Sequence, residues 1–205
     1  MSLSRNDSRR YIWAMNPTTL LLERLSALVH QSVRDDAARH GLQPIHVQVL
    51  SYLARANDYS NLPIAVAEYF GITRGTVSQS LNVLGRKGLV LRQADPHHGK
   101  RIHLTLTAAG AKVLDQAWSR RIDALLESMP GERAALESAL RGLLTGLQGL
   151  NGQRAFGVCR QCAHFLTEGD ATRCGLTGQP LGAAQTLKIC REWTDPIEKC
   201  AMKGA

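Results

Sequence analysis

The sequence predicts a mainly α-helical protein with a small β-wing, followed by a short, irregular cysteine-rich module. Three observations carry that expectation. Apolar residues recur at helical spacing over most of residues 18–150, as at Leu21, Leu25, Leu28, Val29 and Val33. A strict alternation occurs at Ile102, Leu104 and Leu106, against His103, Thr105 and Thr107. All 5 cysteines fall after residue 158, where glycines multiply and apolar periodicity stops.

Each element has a local reason. A first helix from Thr18 to His40 stops at Gly41, and Pro44 opens a second that ends near Asn57. Leu62-Pro63 starts a short helix, IAVAEYF, broken by Gly71. Thr73 is an N-cap for a helix running to about Gly85, on which Val77, Leu81 and Leu84 share the inward face. Leu89–Gln93 reads as a strand, Asp95-Pro96 as a turn, and His97, His98, Gly99, Lys100 and Arg101 as its basic tip. Thr107 then caps a long helix with Val113, Leu114, Ile122, Leu125 and Leu126 as apolar positions. Pro130-Gly131 breaks it, and Glu132–Leu150 forms the last helix. Helix, strand, basic tip, strand and helix in this order describe a winged helix-turn-helix, which sets one helix in the DNA major groove and a hairpin beside it.

Composition agrees with that reading. With 44% hydrophobic and 20% charged residues the chain can bury a core. No apolar run approaches the ~18–20 residues that cross a bilayer, and the N-terminus has no apolar signal region, so a cytoplasmic protein without a membrane partner is expected. The net charge of +8 is concentrated in residues 1–107, where 13 Lys/Arg face 7 Asp/Glu. Lys and Arg supply most nonspecific DNA affinity by neutralising phosphates, so the excess sits where the motif sits. Arg5, Arg9 and Arg10 belong to a basic arm over residues 1–16, ahead of a domain over 17–150 and a cysteine-rich module over 151–205. On the helix after Gly71, Arg74, Thr76, Ser78, Gln79, Asn82 and Arg86 are the residues suited to base edges and phosphates, joined by Lys100 and Arg101 from the tip.

GITRGTVSQSLNVLGRKGLVLR and DPHHGKRIHLTLTAAG resemble the recognition helix and wing of the MarR family of bacterial transcription regulators. The likeness extends over about Leu20 to Leu150. It implies a homodimer built by the first and last helices, with each subunit reading half of a near-palindromic site on double-stranded DNA. The family's wing usually carries Asp-x-Arg, the Asp bracing an Arg in the minor groove. His98 and Lys100 stand at those positions here, with Arg101 following.

The final segment has the spacing C-x2-C-x11-C-x15-C-x9-C. Clustered cysteines in a cytosolic protein suggest metal or redox chemistry, and a segment of ~50 residues needs a staple. Cys159, Cys162, Cys174 and Cys190 make a four-ligand set, and Cys200 is left over. His164 is an alternative ligand. The pattern C-x2-C-x-H-F, C-x-L and C-x-x-W also resembles the cluster-binding segment of high-potential iron–sulfur proteins. It implies a 4Fe-4S cluster screened by Phe165 and Trp193, with zinc as the alternative. No catalytic dyad, nucleotide loop or cofactor fingerprint is present, so no enzyme is expected. The expectation is a DNA-binding regulator, tuned by the cysteine centre acting on the adjacent last helix. The alternatives are a structural zinc module with a small-molecule effector in the dimer cleft and, from a different class, a redox or electron-transfer protein.

Overall fold

A computed structural model describes residues 16–96, 99, 101–129, 131–169 and 171–196. Arg5, Arg9, Arg10, His97, His98, Lys100 and Cys200 lie outside the described residues. The chain opens with helix α1 (Pro17–Arg39), capped by the Asn16 side chain, and continues with α2 (Pro44–Arg55) and α3 (Pro63–Phe70). Gly71 ends α3 in a left-handed conformation, φ 62°, which glycine adopts without steric cost. Helix α4 (Arg74–Arg86) follows, and the Thr73 hydroxyl accepts the Thr76 backbone N–H as the sequence predicts.

Strands β1 (Val90–Ala94) and β2 (Ile102–Leu106) pair antiparallel, Val90 opposite Leu106 and Ala94 opposite Ile102. Leu104 is the residue of β2 that is fully buried, and it joins a core made by α2, α3, α4 and Val113. Val77, Leu81 and Leu84 fix the inward face of α4 in that core.

The predicted long helix after Thr107 is two helices, α5 (Ala108–Leu114) and α6 (Trp118–Glu127). The break is stabilised from a distance. Asp36 of α1 is buried, and its Oδ2 accepts the Trp118 backbone N–H at 2.7 Å, the free donor of a new helix start. Arg39 and Arg121 balance its charge.

Helix α7 (Arg133–Leu150) has no buried residue. The segment after it is more regular than expected. β3 (Gly157–Val158) pairs with β6 (Ile189–Cys190), and β4 (Phe165–Glu168) with β5 (Ala171–Cys174). Helix α8 (Ala183–Thr186) precedes β6. The segment also folds back onto the first domain: Ile189 bridges Ala56 in parallel, and Phe156 and Ile189 pack on the main core.

Candidate DNA-binding face and cysteine site

The inward anchoring of α4 leaves Arg74, Thr76, Ser78, Gln79, Asn82 and Arg86 exposed on one continuous helix. Asn82 is held by Arg92 of β1, whose Nη2 donates to its Oδ1 at 2.8 Å. Arg101 stands at the foot of the hairpin, 52% exposed, with Asp95 Oδ2 3.9 Å from its guanidinium. The Asp95 backbone N–H also donates to the Arg101 carbonyl at 2.9 Å. A carboxylate therefore stands beside the wing arginine after all, supplied from the first strand's end. His103 completes the foot, its ring nitrogens 2.6 Å from Asn61 Oδ1 and 3.2 Å from Asp95 Oδ2. Arg74 and Arg101 open onto the same cleft of about 600 Å³, with Arg191 from the C-terminal segment as a third cation.

The cysteine site is built by the short elements of that segment. A 3-10 turn (Cys159–Gln161) carries the first pair, β5 ends on Cys174 and β6 on Cys190. Cys159, Cys162, Cys174 and Cys190 are all free thiols and line one narrow cavity with His164, Phe165 and Leu181. That cavity has a volume of about 10 Å³, close to that of one water-sized sphere. As the side chains stand, no group of three or more His, Cys, Asp or Glu among the described residues is arranged to hold a metal ion. The Cys162 sulfur accepts two backbone N–H groups, from His164 at 3.5 Å and Thr194 at 3.4 Å. Burial, reinforced by the other three sulfurs, pushes the Cys159 thiol up to about 11. Burial also raises Cys190, opposed by the Asn57 side chain and the Glu192 backbone N–H.

Trp193 is buried against the cysteines, and its Nε1–H donates to the Gln161 carbonyl at 3.1 Å. A Cβ on Gly157 would meet the Trp193 ring at 2.5 Å, so the indole demands glycine there. Gly157→Ala is expected to cost about 1–3 kcal/mol by overpacking. Thermal unfolding, followed by Trp fluorescence, checks this; an unchanged midpoint would mean the ring moves freely.

Sequence reasoning missed Asp95, which the hairpin register brings back to Arg101, and Asn57, whose buried turn meets Cys190. Neither belongs to a motif; only the Asp-Pro turn signal pointed near the first.

The helices, the exposed face of α4 and the hairpin define a winged helix-turn-helix. Residues 40–101 match the model of the MarR family. No curated protein matches the chain. Among solved structures it is similar to S. aureus MepR in its DNA-binding conformation, at 21% identity and a TM-score of 0.55, covering 65% of this chain and 100% of that one. A MepR point mutant from a multidrug-resistant S. aureus clinical isolate gives 20%, 0.55, 65% and 99% in the same order. CouR from Rhodococcus jostii RHA1, bound to p-coumaroyl-CoA, gives 22%, 0.51, 64% and 92%. At these identities the likeness establishes the fold. Among the described residues no helix is long and apolar enough to cross a membrane.

Proposed function

We propose that this protein is a homodimeric DNA-binding transcription regulator of the MarR type, carrying a metal centre on Cys159, Cys162, Cys174 and Cys190. The observation behind the first part is the continuous exposed face of α4 beside a wing whose Arg101 has the Asp95 carboxylate 3.9 Å away. Such a helix suits the major groove, and the cations suit phosphates. The dimer is supported by exposed leucines at 3–4 spacing on α1 and α7. MepR is described in a DNA-binding conformation and CouR with an acyl-CoA, so a small-molecule effector is a further expectation for this chain.

Selection from a random duplex pool tests the DNA reading. A near-palindromic consensus supports it; no enriched sequence defeats it. On the selected site Arg74→Ala is expected to weaken binding about 10- to 100-fold and to flatten the salt dependence. Fluorescence anisotropy at two salt concentrations reads both effects.

For the centre, the donor chemistry fits: four thiols line one cavity, and two backbone N–H groups donate to the Cys162 sulfur. A 4Fe-4S cluster is what the resemblance to the cluster-binding segment of high-potential iron–sulfur proteins implies, and the apolar wall of Phe165 and Trp193 supports it. A bound cation would offset the burial that raises the Cys159 and Cys190 thiols. The narrowness of the cavity favours a second reading, a single zinc, because a space of about 10 Å³ is closer to that of one ion than to that of a four-iron cluster.

A further inference from the structure

We infer that the ligation state of Cys190 is transmitted to the helix-turn-helix through the Asn57–Ser60 turn, with the Asn57 side-chain amide as the group that senses the sulfur. The inference rests on the four-cysteine centre proposed above. It departs from the expectation that the module acts on the last helix beside it.

The turn between α2 and α3 holds both sides of the residue that would be ligated. The Asn57 backbone N–H donates to the Ile189 carbonyl at 2.9 Å, and the Arg191 N–H donates to Ser60 Oγ at 2.7 Å. Cys190 lies between those two anchors. Ser60 Oγ–H in turn donates to Asn57 Oδ1 at 2.7 Å, and Tyr52 of α2 donates to the Ser60 carbonyl at 2.8 Å. Asn57, Ser60 and Tyr52 are at most 1% exposed, so these bonds are shielded from competing water. The adjacent Arg191 continues the connection into the DNA reader. Its guanidinium pairs with both Glu68 oxygens, at 2.5 and 2.8 Å, and Glu68 lies on α3, which packs against α4.

Asn57 Nδ2 is buried and has no hydrogen-bond partner, while its Oδ1 accepts from Ser60 and from the Tyr59 backbone N–H. The Asn57–Ile189 backbone bond brings the turn against the neighbouring Cys190, and the Asn57 side chain opposes the burial that raises that thiol. A neutral thiol is a weak acceptor, whereas a metal-bound sulfur has lost its proton and carries negative charge. Ligation of Cys190 would thus complete an unmet donor of the turn and tighten the clasp on α3. The module's contacts to α7 are of another kind. Gln161 accepts from Arg141 at 2.7 Å and donates to Glu137 at 3.1 Å, on a helix with no buried residue. Partly exposed polar contacts of that sort couple weakly.

The test compares the full-length chain without metal and after loading with zinc(II), or with iron and sulfide supplied anaerobically. Amide hydrogen exchange is read by mass spectrometry. Loading is expected to slow exchange across residues 57–70 by about 10-fold. A change confined to the module and residues 133–150 would overturn the route. In Asn57→Ala, metal uptake should persist, while the metal-dependent change in DNA affinity shrinks from about 10-fold to under about 2-fold. Glu68→Gln, which leaves the thiol site untouched, should shrink it as well. If Asn57→Ala fails to fold, the exchange pattern and Glu68→Gln decide. Failure of the unaltered chain to take up either load defeats the cysteine-centre reading and this route together. Uptake with unchanged exchange at 57–70 defeats the route alone.

Discussion

Cys159→Ser is expected to reduce the metal content of the purified protein to under about a tenth and to unfold the C-terminal segment, because structural thiolate sites supply folding energy of about 10–16 kcal/mol. The segment's own core is small, although its docking onto the first domain holds it in place. Its own fully buried apolar cluster is Cys159, Leu181, Cys190 and Trp193, and two of those four are proposed ligands. A core so small does not outweigh chain entropy unaided. Metal and sulfide analysis with an absorbance spectrum, on protein purified without oxygen, measures the effect. About four iron and four sulfide per chain identify the cluster, and about one zinc with no colour identifies a structural ion. Cys200→Ser is the control and should leave the content unchanged. Loss of metal in that variant, with retention in Cys159→Ser, would show the ligand set to be wrong. Metal-free wild-type protein would remove the centre altogether.

The second large effect concerns assembly. Leu136, Leu140, Leu143 and Leu147 of α7 are between 39% and 50% exposed and repeat at 4-3-4 spacing. Leu21, Leu25 and Leu28 of α1 are exposed in the same rhythm. That spacing lays a single apolar stripe along a helix, which neighbouring helices cover. A helix without buried residues is unstable in water on its own, so a second copy covering both stripes is the simplest account. The pair Leu143→Asp and Leu147→Asp places two carboxylates in the stripe and is expected to yield a monomer by light scattering. Operator affinity should fall about 100- to 10,000-fold, since each subunit then binds its half-site without the other's effective concentration. A dimer that persists with full affinity would locate the contact elsewhere.

The winged-helix half was legible from sequence for an identifiable reason. Local signals there are strong and agree with one another: Thr73 as a cap, Gly71 as a stop, and alternation through Ile102–Leu106. The surface residues of α4 followed once Val77, Leu81 and Leu84 had fixed its inward face. The boundary between α5 and α6 was not legible, because the cap comes from Asp36, a residue 82 positions away from Trp118. Asp95 escaped for a similar reason, since its relation to Arg101 depends on hairpin register and turn length.

The sequence alone determined the helix-turn-helix, the hairpin, the exposed face of α4 and the separateness in composition of the cysteine-rich segment. These depend on periodicity, caps and turn residues, all interactions within a few positions along the chain. Tertiary structure decided where that segment docks. Ile189 beside Ala56, Arg191 on Glu68 and Trp193 over Gly157 join residues with no shared pattern. Their pairing depends on complementary shape and on satisfying buried donors, which exist only after the chain has folded.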